Sequence, residues 1–84
     1  MRRSRKAARP SLLPRNVYVR ERRTSLRLEP VMWDALADIA AERGASIHDL
    51  VTEAAESNDM PNLSAAVRVF IVEFYRSRSL SDPR

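Results

Sequence analysis

The chain has no cysteine, one glycine (Gly44) and one histidine (His48) among its 84 residues. Without cysteine there is no disulfide framework and no thiolate zinc site, and the composition fits a reducing compartment. A lone histidine then gives no metal-ligand set. A single glycine argues against a sandwich or barrel, which would need many turns. No apolar run approaches the ~18 residues needed to cross a bilayer, so no membrane contact is expected. The N-terminal stretch "MRRSRKAARPSLLPR" starts with charge but lacks an apolar run of about seven or more residues, so it does not read as a secretory signal. Its Pro10 and Pro14 oppose an amphipathic transit helix, since proline disrupts helix interiors. A cytoplasmic protein is expected. There is no Gly-rich phosphate loop, and no serine stands in an obvious nucleophile–base–orienter set. The chain reads as a non-enzyme without a cofactor.

What is present is a split of charge. Residues 1–23 carry nine of the 15 Lys/Arg and only one acid, Glu21, so this stretch is +8 while the remainder is −4, within a net charge of +4. A basic arm on an acidic body signals a polyanionic partner. The arm cations Arg2, Arg3, Arg5, Lys6, Arg9, Arg15, Arg20 and Arg22 are candidate phosphate contacts, along the backbone or in a neighbouring minor groove.

Residues 1–15 are poor in groups to bury and read as a disordered arm. In residues 16–21, "NVYVRE", Val17 and Val19 alternate with Tyr18 and Arg20, a weak strand signal. This segment either extends the next strand or folds back on it through a turn near Glu21–Arg22, although no Asn-Gly type of turn chemistry is present. Residues 23–28 are the clearer strand. Thr24, Leu26 and Leu28 share one face, and Arg23, Ser25 and Arg27 the other.

Three helices follow. The first is expected over 31–43, opened by Pro30 and stopped at Gly44, with Trp33 and Leu36 on its apolar side. The second is expected over 47–57, capped by Ser46 with Asp49 as the acidic partner, and with Leu50 on its stripe. The third is expected over 64–77, capped by Asn62 or Ser64, with a flexible tail at 78–84. Val67, Phe70, Ile71, Phe74 and Tyr75 form its main stripe, while Val69 and Val72 lie off it. A helix this apolar must be buried on most sides, which points to a second chain.

A lone strand leaves its backbone N–H and C=O groups without partners. Two such strands from two chains can pair antiparallel across a two-fold axis. The leucine faces would rest on helices and the arginine faces would form one exposed ribbon. A two-stranded ribbon fits the major groove of B-DNA. The expected fold is therefore mainly α: an intertwined homodimer with an intermolecular antiparallel β-ribbon. Its core would hold Leu26, Leu28, Trp33, Leu36, Leu50, Val67, Phe70, Ile71 and Phe74.

The stretch "RRTSLRLEPVMWDALADIAAERGASIHDL" with the later "NLSAAVRVFIVEFYR" resembles the ribbon-helix-helix DNA-binding proteins of the Arc/MetJ type. The likeness covers about residues 16–76, and more narrowly the chain is similar to a bacterial subgroup carrying "RTS-x-RLEP-x-(F/W)-W-x-AL" and a later "NLSSALRVFV". It implies a dimer that docks its ribbon in the groove, often with further dimers on repeated sites. It implies base reading by Arg23, Ser25 and Arg27, where an arginine fork suits guanine O6 and N7. It also implies a phosphate clamp at Ser46, Ile47 and His48, at the start of the second helix. Glu21 and Glu29 flank the ribbon and would repel phosphate if they faced it. The expected function is a sequence-specific, double-stranded-DNA-binding repressor of the bacterial nucleoid. The alternatives are an antitoxin or other interaction module that uses the C-terminal helix, and a low-specificity architectural protein. Trp33 reads as core rather than as a platform for single-stranded nucleic acid, because it lies on the apolar stripe.

Overall fold

The computed structural model describes residues 12–58 and 61–81. The order of elements is β1 (Leu13–Val19), β2 (Arg22–Leu28), α1 (Pro30–Arg43), α2 (Ile47–Ser57) and α3 (Leu63–Ser81). The arm cations Arg2, Arg3, Arg5, Lys6 and Arg9 lie outside the described residues.

The expectation of one strand per chain is corrected. β1 and β2 pair antiparallel within a single chain, from Leu13 opposite Leu28 to Val19 opposite Arg22. Residues 16–21 therefore fold back rather than extend the ribbon. Residues 13–15, expected in the arm, belong to the first strand. The two-residue turn is Arg20–Glu21, with φ of 51° and 70°. Both sit in the left-handed region, which costs a residue with a Cβ roughly 1–2 kcal/mol. Turns of this shape usually carry glycine or asparagine, so the sequence gives little sign of this one. The cost is offset by the strand ladder and by contacts on either side of the turn. Arg20 Nε donates to Glu56 Oε2 of α2 at 2.9 Å.

The hairpin lies on the helices with one face in and one face out. Val17, Leu26 and Leu28 are buried, with Leu13, Val19 and Thr24 partly covered. Pro14, Asn16, Tyr18, Arg23, Ser25 and Arg27 are exposed. The buried core also takes Trp33, Leu36 and Ile39 from α1, Leu50, Val51 and Ala54 from α2, and Val67, Phe70 and Ile71 from α3. No polar or charged residue is buried with them among the described residues. The core residues assigned above to a two-chain interface thus close over one another inside one chain, Phe74 packing at the margin.

Local chemistry explains the helix ends. Gly44 adopts φ 65°, ψ 37° and its N–H, with that of Ala45, returns to Ala40 C=O. That left-handed stop is the one place this chain uses glycine. Ser46 and Asp49 form a reciprocal capping box at the start of α2: Asp49 N–H donates to Ser46 Oγ and Ser46 N–H to Asp49 Oδ2. Asn62 caps α3 by accepting from Ala65 N–H at 2.8 Å, which leaves Ser64 Oγ to donate to Arg27 C=O of β2. α3 runs four residues past the expected end at 77. Arg78, expected in the flexible tail, is helical and bridges to Glu42 of α1 at 2.8 Å.

Candidate nucleic-acid interface

A two-residue turn makes Val19 and Arg22 a hydrogen-bonded pair, and pairs then alternate. The backbone groups of Tyr18 and Arg23, Asn16 and Ser25, and Pro14 and Arg27 therefore point to the sheet edges. The two edges are unlike. At the β1 edge, Tyr18 N–H donates to His48 Nδ1 at 3.1 Å, and Thr52 Oγ1 donates to Tyr18 C=O at 3.4 Å. Pro14 has no N–H to leave unpaired there, the one strand position a proline suits. At the β2 edge the C=O of Arg27 is the one group taken among the described residues, by Ser64.

The outward face of the hairpin collects the predicted base-reading side chains. Arg23, Ser25 and Arg27 stand exposed along β2. Directly opposite them on β1 are Tyr18, Asn16 and Pro14. Tyr18 and Asn16 are not among the sequence-predicted readers. The alternation of Val17 and Val19 does put both on the outward face, and that signal could have found them.

Electrostatics favour this face. Arg20, Arg43, Arg68 and Arg78 are each paired with a glutamate. On the outward face, Arg23 and Arg27 have no acidic partner among the described residues; nor does Arg22, which stands opposite Val19 and so on the other side of the hairpin. The concern over Glu29 is removed, because Arg68 holds it bidentately, with both contacts at 3.1 Å. Glu21 stays exposed in the turn.

The remaining candidates divide. Arg15 stacks over the Trp33 ring at 4.9 Å, and Trp33 Nε1–H donates to Leu13 C=O at 2.8 Å. The indole therefore pins β1 to α1 and is buried. The start of α2 lies beside the hairpin, since the His48 ring meets Tyr18 edge-on at 5.5 Å. Its cap is partly occupied. The Ser46 hydroxyl and N–H are spent in the capping box, so Ile47 and His48 supply the first-turn N–H groups without an intrahelical acceptor. His48 Nδ1 accepts the Tyr18 N–H, which ties the first turn of α2 to the β1 edge.

Two carboxylates titrate low. The guanidinium hydrogen bonds from Arg68 hold Glu29 below its ordinary value, and the Ser46 N–H does the same for Asp49. A group whose pKa is depressed in the folded state adds stability above its unfolded pKa and loses it as pH falls through the folded one. Resistance to urea should therefore be level down to about pH 5 and fall progressively below it. Glu29→Gln with Asp49→Asn should flatten that fall. An acid limb of the same depth in the double variant would remove these two groups as its source.

No group of three or more His, Asp or Glu among the described residues is arranged to hold a metal. None of the helices is long and apolar enough to cross a membrane. Comparison with curated proteins and with solved structures gives no match. The family model of the ribbon-helix-helix domain matches residues 12–75, from the first strand into α3, and the chain belongs to that DNA-binding family.

Proposed function

We propose that the chain is a sequence-specific double-stranded-DNA-binding regulator, a repressor, that works as a homodimer. The observation that carries this reading is the two-faced hairpin. Its inner side is buried and its outer side presents Arg23, Ser25 and Arg27, the arginines without an acidic partner among the described residues. A two-stranded ribbon matches a major groove about 12 Å wide, and each arginine can donate twice to guanine O6 and N7. β1 supplies the second strand that a twin was expected to bring, so dimerisation places two ribbons instead of building one. The outward side of α3 suits that contact: Val69 is half-buried, Val72 is 48% exposed, and Arg68, Glu73 and Arg76 surround them.

The test is binding of the wild-type chain and Arg27→Ala to duplexes selected from a random pool, and to unselected DNA. Loss of a bidentate guanine contact should weaken selected sites by roughly 5- to 150-fold, with a much smaller loss on unselected DNA. Equal losses on both would leave an architectural protein that reads little sequence.

The open β2 edge favours a second arrangement of the dimer, in which β2 pairs with β2 of a twin around Ser25. Four adjacent strands would then span about 14 Å between outer axes at ~4.8 Å per gap, wider than the groove. Ser25→Cys decides between the two. Twin β2 strands would put the thiols within disulfide reach and give a covalent dimer on mild oxidation, whereas contact through α3 predicts none.

A further inference from the structure

We propose that Asn16 is a base-reading residue specific for adenine, which rests on the DNA-reading hairpin above. Asn16 lies on the outward face of β1, directly opposite Ser25. Arg23 and Arg27 stand two residues to either side of Ser25, roughly 6.7 Å along the strand in each direction, and Asn16 is about 4.8 Å across. Its Cα is therefore abreast of the midpoint between the backbone positions of Arg23 and Arg27.

The asparagine amide joins a C=O acceptor to an NH₂ donor, which matches the N6–H₂ donor and N7 acceptor of adenine in the major groove. No other outward residue of the hairpin offers that pair. Ser25 has one hydroxyl, Tyr18 one phenol and Pro14 no polar side-chain atom. Asn16 is exposed and makes no side-chain hydrogen bond among the described residues. Asparagine is also disfavoured in strands, so its place in β1 is not explained by strand formation.

Selection of duplexes from a random pool by the full chain tests this directly. The wild type should enrich a site with an adenine between two guanine contacts. Asn16→Ala should lose the adenine preference and keep the guanines. Placing 7-deazaadenine, which lacks the N7 acceptor, at that position should weaken the wild type about 5-fold or more and leave Asn16→Ala unaffected. The modified base needs no altered protein, so it decides even if the variant folds poorly. An unchanged motif with Asn16→Ala, or no response to 7-deazaadenine, overturns the assignment while the arginine reading stands. An equal loss on every duplex overturns it in favour of a backbone contact. A wild-type chain that enriches no motif sinks the hairpin reading and this residue with it.

Discussion

Binding to duplex DNA should weaken by about 10³–10⁵-fold between 50 and 200 mM salt, if a dimer neutralises some 6–10 phosphates and releases their counterions. The charge needed is concentrated at one end of the chain, with nine Lys/Arg in residues 1–23. Truncation separates positioning from reading. Removing residues 1–11 deletes Arg2, Arg3, Arg5, Lys6 and Arg9 from each copy. The slope of log affinity on log salt should then fall by about 0.9 for each phosphate that is no longer neutralised. Selected and unselected sites should lose affinity together, opposite to the selective loss in Arg27→Ala. The cut must stop at residue 11, because Leu13–Arg15 pair with β2 and a longer deletion would unzip the hairpin. A salt slope that the truncation leaves unchanged would take the N-terminal cations out of the mechanism.

The largest stability effect should come from Trp33→Ala, at about 3–5 kcal/mol. Domains are stable by only about 5–15 kcal/mol, so this variant sits near the edge of folding. The indole fills the core at 3% exposure, donates to Leu13 C=O and carries the Arg15 guanidinium on its ring. Its loss opens a cavity and releases the first residue of β1 together. Trp33→Phe keeps a ring in the core and gives up the hydrogen bond, at about 0.5–1.5 kcal/mol. Urea unfolding measures both, and amide exchange at Val17 and Val19 should quicken most in the alanine variant. A cost below about 1 kcal/mol for Trp33→Ala would mean that the hairpin is held elsewhere.

Features set by near neighbours along the chain are legible in the sequence. The stop at Gly44, the reciprocal cap of Ser46 and Asp49, and the two faces of residues 23–28 each depend on residues within a turn or strand. β1 depends on distant partners and is only faintly visible. Pro14, Arg15 and Asn16 do not read as strand formers, and the turn at Arg20–Glu21 has neither glycine nor asparagine. What holds the segment comes from elsewhere: Trp33 of α1 on Leu13, His48 and Thr52 of α2 on Tyr18, and Glu56 on Arg20. The bidentate grip of Arg68 on Glu29 joins residues 39 apart, which no local pattern reports. The premise of a strand standing alone fails for that reason, and with it the need for a twin to complete the ribbon. Arg23, Ser25 and Arg27 keep their outward side because the two-residue period does not depend on which strand pairs with them.

A core sealed within one polypeptide separates folding from assembly. A chain built this way keeps the stability of its own core on dilution, and pairing of folded chains only adds to it as concentration rises, whereas an obligate dimer loses folding and assembly together. If the chain pairs as proposed, dilution in a growing cell parts the subunits without denaturing them. Each would then keep the outward face of its hairpin and lose only the avidity of a second attachment. On that reading, release from a paired site is a matter of copy number and requires no unfolding.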